Sequence, residues 1–115
     1  MSMNLSVYVG PYVVAYGTRK GNERELLECF EDELQEGRGE AGSGDGKLYA
    51  IPNVEFGRDV SWDKYDSDRE PWAISASAVQ LEIEKMKNLA NTFIAAIESS
   101  GGTCEVLWGV VCGVF

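Results

Sequence analysis

Apolar residues recur at Val79, Ile83, Met86, Ala90, Phe93 and Ile97, at spacings that alternate between four and three residues. Only a helix of 3.6 residues per turn gathers such positions into one stripe. A long amphipathic helix is therefore predicted from Ser77, with Gln80 as its capping-box partner, to Ser99-Ser100-Gly101-Gly102. Thr103 to Phe115 then reads as a strand apolar on both faces. Cys104, Val106, Trp108, Val110 and Cys112 lie on one face, and Leu107, Val111 and Phe115 on the other. Such a strand is expected at the centre of a sheet or at a subunit interface.

Toward the N-terminus, Leu5, Val7 and Val9 alternate with Ser6 and Tyr8, and the pattern resumes after Gly10-Pro11 through Tyr12 to Tyr16. This predicts a strand interrupted by a bulge or bend, with the proline favouring an edge or a kink. Asn22 followed by Glu25 marks a helix start, and Gly37 its end. Leu26, Leu27, Phe30 and Leu34 form the apolar stripe of that helix, while Glu25, Glu28, Asp32 and Glu36 converge on the other side.

Five glycines make 37–46 a loop, and Lys47 to Ile51 is a short strand stopped by Pro52. Asn53 to Glu70 is acidic and irregular, with Phe56, Val60, Trp62 and Tyr65 as apolar pins. It is long for a structureless loop, so it holds a hidden hairpin or forms part of a working surface. Trp72-Ala73-Ile74 is read as a brief strand. The resulting order, β-α-β-β-α-β over a single domain of residues 1–115, is an α+β arrangement with two helices on one face of an antiparallel sheet. The ferredoxin-like split βαβ is the leading candidate.

Composition narrows the chemistry. The 115 residues carry 10 Lys+Arg against 19 Asp+Glu and no histidine, for a net charge of −9. An acidic excess repels phosphate backbones and anionic lipid, so neither direct nucleic-acid binding nor membrane association is expected. Without histidine there is no Ser-His or Cys-His nucleophile pair, and most catalytic zinc sites are excluded. Cys29, Cys104 and Cys112 cannot all pair, and the last two stand roughly 26 Å apart at about 3.3 Å per strand residue. Reduced thiols in a cytoplasm are expected. The apolar N-terminus lacks the basic region of a signal peptide, and Val106 to Phe115 is about half the length of a bilayer span.

Several motifs fail on context. Gly37, Gly39 and Gly42 spell G-x-G-x-x-G, but after a helix and before a strand, the reverse of a dinucleotide site, with Glu40 and Asp45 repelling phosphate. Gly46-Lys47 lacks the remaining P-loop residues. Cys112-Gly113-Val114-Phe115 has glycine where a prenylation box needs an aliphatic residue. Asp59, Asp63, Asp66, Asp68 and Glu70 offer oxygen ligands, but Lys64 and Arg69 interleave and the spacing is not that of an EF-hand. No metal, cofactor or catalytic residue is expected.

What remains is the clustering of charge. Between Asn22 and Asp45 nine acidic residues face only Arg24 and Arg38, which places −7 of the total −9 in a fifth of the chain. The bland reading is a solvated face that keeps the protein soluble. The functional reading is a small acidic, non-enzymatic inhibitor that occludes the positively charged groove of a basic protein, a nucleic-acid-handling complex or nuclease. A phage-encoded anti-defence protein of the anti-CRISPR kind fits, as does an immunity protein against a toxin nuclease. A carboxylate- or metal-dependent enzyme and an oligomeric structural subunit are the alternatives from other classes, and pairing through the terminal strand would make a homodimer. The candidate partner-binding residues are the helical ladder Glu25, Glu28, Asp32 and Glu36, and the loop residues Trp62, Asp63, Tyr65, Asp66 and Asp68. The ladder is the favoured surface, because a helix holds its charges at fixed spacing and has little entropy to lose on binding.

Overall fold

A computed structural model of the chain describes residues 5–18, 23–36, 47–53, 58–61 and 73–114. Its elements run β1 (Leu5–Tyr16), α1 (Glu23–Glu28), β2 (Leu34–Glu36), β3 (Leu48–Pro52), β4 (Arg58–Ser61), α2 (Ala76–Leu89), α3 (Asn91–Ser99) and β5 (Thr103–Val114). The strand pairings are antiparallel, in the order β2-β3-β1-β5, with β4 as a second partner of β1. β3 lies between β1 and β2, the two strands joined through α1. β1 in turn lies between β3 and β5. Two interleaved crossover units of this kind are the split βαβ arrangement, so the expected fold class holds, with one strand and one helix more than the sequence patterns suggest.

Two strands are new, β2 at the end of the expected first helix and β4 from the 53–70 segment, while Ala73 and Ile74 of the expected brief strand form none. β4 does not form a hairpin with β3. The two share one edge of β1, β3 along Val13–Ala15 and β4 along Ser6–Val9, while β5 occupies the other edge from Leu5↔Val114 to Tyr16↔Thr103. Continued without a break, the Val13↔Ala50 register would set Val9 against position 54, yet Val9 faces Arg58. The expected interruption therefore falls in the neighbour of β1 and not in β1 itself.

This corrects the placement of two strands. The proline-bearing β1 is central and not an edge, and the mostly apolar β5 is outermost, not central, among the described strands. A central strand tolerates proline only where the missing N–H costs no ladder bond. Pro11 sits between the stretches paired to β3 and to β4, and the Tyr8 hydroxyl donates to the Pro11 carbonyl at 2.8 Å. β1 is central because both its faces are buried. Val13 and Ala15 pack with Leu27, Leu48, Ala50, Met86, Phe93 and Ile97 under the helices, and Tyr8 packs with Ile51 and Val111 on the opposite face.

Of the predicted apolar stripe of the C-terminal helical segment, Met86, Ala90, Phe93 and Ile97 are fully buried, and Val79 and Ile83 only partly so. The segment is nevertheless two helices that meet at Ala90, although backbone bonds Ala90→Met86 and Ile94→Ala90 run through the junction. Its N-cap is Ser75 rather than Ser77. Ser75 has extended backbone angles, and its Oγ accepts from the Ala78 N–H at 3.2 Å. Ala73 and Ile74 form no strand, and Trp72 lies outside the described residues. No helix among the described residues is long and apolar enough to cross a membrane.

Candidate acidic interface

The largest correction concerns the first helix. It spans six residues and stops at Glu28, so the four-carboxylate ladder does not exist as a helical face. Glu25 and Glu28 stand exposed on α1, Asp32 stands exposed on the following turn, and Glu36 belongs to β2. Continuing the helix would set Glu28 beside Asp32 and Asp32 beside Glu36, like charges four residues apart, with further carboxylates against the negative end of the helix dipole. The competing strand offers more. Leu34, opposite Pro52 in the β2–β3 ladder, is 1% exposed.

The turn is held on several sides. Cys29 and Phe30 donate backbone bonds to Leu26 and Leu27, and Glu33 and Leu34 donate to the Phe30 carbonyl at 3.0 and 2.8 Å. Asn53, just past β3, donates its backbone N–H to the Glu33 carbonyl at 2.9 Å and its side-chain amide to the Glu31 carbonyl. From within, Phe30 packs edge-on against Phe93, with ring centroids 5.6 Å apart and planes at 72°. With Leu27, Phe30 and Leu34 turned inward, Glu25, Glu28, Glu31, Asp32 and Glu33 are all turned out to solvent. Beside them is an open cleft of about 380 Å³ lined by Arg24, Leu27, Glu28, Glu31, Leu34, Gln35 and Asn53.

Sequence reasoning passed over Glu31, Glu33 and Asn53 as site residues. Glu31 and Glu33 fall off the face of a continuous helix and acquire their role only because the chain turns. Asn53 acts across the sheet edge, a placement with no local sequence signal. Trp62, Asp63, Tyr65, Asp66 and Asp68 lie outside the described residues, as does the Glu36 side chain. Of the five acidic residues considered for calcium, Asp59 lies on β4 opposite Tyr8, and the other four lie outside the described residues.

One carboxylate of the segment has an internal task. Glu23 is buried at the start of α1, and its Oε1 accepts from the Thr18 N–H at 3.1 Å, tying the exit of β1 to the helix. Burial raises its pKa, but hydrogen bonds from its own N–H, from the Thr18 N–H and hydroxyl, and from the Gly17 N–H outweigh that effect and lower it below the ordinary 4.5. A carboxylate with a folded pKa below its unfolded one stabilises the fold above the unfolded value, and that contribution is lost as pH falls through the folded value. Thermal melts are thus expected to show the Glu23 contribution disappearing below pH 4.5, and Glu23→Gln should flatten that part of the profile. An acid profile identical in slope for the two proteins would contradict the assignment.

Two thiols are described, one in the core and one within the acidic segment. Burial pushes the Cys104 thiol up to about 12, with the Glu98 carboxylate adding to the effect, so it stays protonated among core side chains. Cys29 is exposed, and its Sγ approaches the Glu25 carbonyl at 3.6 Å.

No family model, curated protein or solved structure matches the chain.

Proposed function

We propose that the protein is a non-enzymatic acidic inhibitor acting in the cytoplasm. It occupies a positively charged groove on a nucleic-acid-handling protein, as a phage protein directed against a host defence complex would. The observation that carries this reading is the set of five outward carboxylates, Glu25, Glu28, Glu31, Asp32 and Glu33, on a segment pinned by Asn53, Phe30 and Leu34. Individually such exposed charges contribute little. Held together on a pinned backbone, they produce a field that steers a basic partner into place without the entropy cost of ordering a loop. The preorganisation first assigned to a helix is supplied here by a turn.

The test is affinity capture from the native host with the wild-type chain and with a Glu28→Lys/Asp32→Lys double variant as baits, followed by mass spectrometry. Both side chains are solvent-exposed, so the variant keeps the fold. The wild type should retain a basic nucleic-acid-binding protein at low salt and release it at high salt, because the attraction is screened beyond about 8 Å at physiological ionic strength. The variant should retain none. Equal capture by both baits, or an affinity indifferent to salt, refutes the reading. Capture of a secreted nuclease would identify an immunity protein and refute the anti-defence setting.

A further inference from the structure

The cleft beside the acidic turn has an apolar interior under a polar rim. Its two buried lining residues, Leu27 of α1 at 6% exposure and Leu34 of β2 at 1%, form the floor. Glu28 and Glu31 stand exposed at the rim, and among the described residues neither carboxylate has an ion-pair partner. Gln35 and Asn53 add amide oxygens as neutral acceptors, since the Asn53 side-chain N–H is donated to the Glu31 carbonyl and its oxygen is left to accept. At about 380 Å³ the cleft falls within the range of sites that hold small groups, roughly 300–1,000 Å³. Like them, it sets a few polar groups over apolar lining.

We propose that this cleft receives one arginine side chain of the basic partner. The proposal rests on the acidic-inhibitor reading and names the chemical group that the surface grips. Charge complementarity selects a cation, because the lining sets two carboxylates against the single Arg24, and Glu25, Asp32 and Glu33 stand exposed on the same segment. The layout of the lining selects arginine over lysine. An arginine lays its methylene stem along an apolar floor and keeps its charged head at the rim. That head is a planar, weakly hydrated fork of donors with no acceptor, suited to a rim of two carboxylates and two amide oxygens. A lysine ammonium is a compact, strongly hydrated point charge that must shed more water to enter. Arginines in a nucleic-acid groove make the same paired contacts to phosphate, so the cleft carboxylates take the place of a phosphate. Leu34 is held opposite Pro52 in the β2–β3 ladder and Asn53 bonds the turn, so the cleft is formed before the partner arrives and binding orders little chain.

Calorimetric titration of the full chain with an arginine-only peptide and a lysine-only peptide of equal length tests the proposal, with the methyl NMR signals of Leu27 and Leu34 reporting where each peptide sits. At low salt the arginine peptide should bind about tenfold tighter and shift both leucine signals, and the lysine peptide should leave them in place. Glu31→Gln removes a cleft carboxylate and should weaken the arginine peptide about tenfold. Glu33→Gln removes the same charge outside the lining and should weaken it only about twofold. Both side chains are exposed, so circular dichroism should be unchanged; if Glu31→Gln loses structure, Glu28→Gln carries the same comparison. Equal affinity for the two peptides, unmoved leucine signals, or equal losses in the two variants would overturn the cleft site and leave the acidic surface standing. Failure of both peptides to bind at low salt would overturn the surface and the cleft together.

Discussion

Phe93→Ala should lower the unfolding free energy by about 3–5 kcal/mol, the range for removing a fully buried aromatic side chain. Phe93 is 0% exposed where the helices meet the sheet, and its ring forms a T-shaped pair with Phe30. Truncation removes apolar burial, leaves a cavity that close-packed neighbours cannot fill, and deprives Phe30 of its partner. Since Phe30 anchors the acidic turn, the variant should also loosen the segment that carries Glu31, Asp32 and Glu33. Urea unfolding with an unchanged slope would report the stability loss. Ile83→Ala, on the same stripe, should cost less. Its side chain is only partly buried, whereas Phe93 is fully buried. A loss at Phe93 no larger than at Ile83 would show that the core is centred elsewhere.

Gly102→Ala should destabilise by about 2–3 kcal/mol, an unusually large effect for adding one methyl group. α3 is capped at Ser100, with Gly101 in the left-handed region at φ 86°. The Gly101 N–H bonds the Glu98 carbonyl at 3.0 Å and the Gly102 N–H bonds the Ile97 carbonyl at 2.9 Å, a Schellman closure. Gly102 then passes so close to β1 that a Cβ would lie 2.9 Å from the Tyr16 carbonyl oxygen and from methyls of Ile97 and Thr18. A methyl can shift, but a backbone oxygen in the central strand cannot do so without disturbing the ladder. Gly17→Ala is the control. Gly17 also has a left-handed backbone, at φ 79°, but its Cβ would meet nothing within 4 Å, so only backbone strain of about 1–2 kcal/mol is expected. Equal thermal shifts for the two variants would show that the close approach at Gly102 does not exist.

The acidic cluster itself is plain in the sequence, because charge composition is local and additive. Its geometry is not. Leu26, Leu27, Phe30 and Leu34 satisfy a helical stripe, and nothing within residues 22–37 reveals that Leu34 pairs with Pro52. Short apolar spacings fit helix and strand alike, and the choice falls to a partner strand fourteen or more residues away. The same non-local choice turned Glu31 and Glu33 outward and brought Asn53 to their carbonyls.

By itself the sequence determined the α+β class, the apolar stripe of α2 and α3, the glycine stop after Ser100 and the strands β1, β3 and β5, since each rests on periodicity or turn chemistry within one segment. Tertiary structure decided which strands are central. Apolar patterning reports how much burial a strand can accept, not which neighbour supplies it. Pro11 enters the centre because β3 and β4 divide one edge of β1 around it, and β5, apolar on both faces, is left outside because β1 alone among the described strands reaches it.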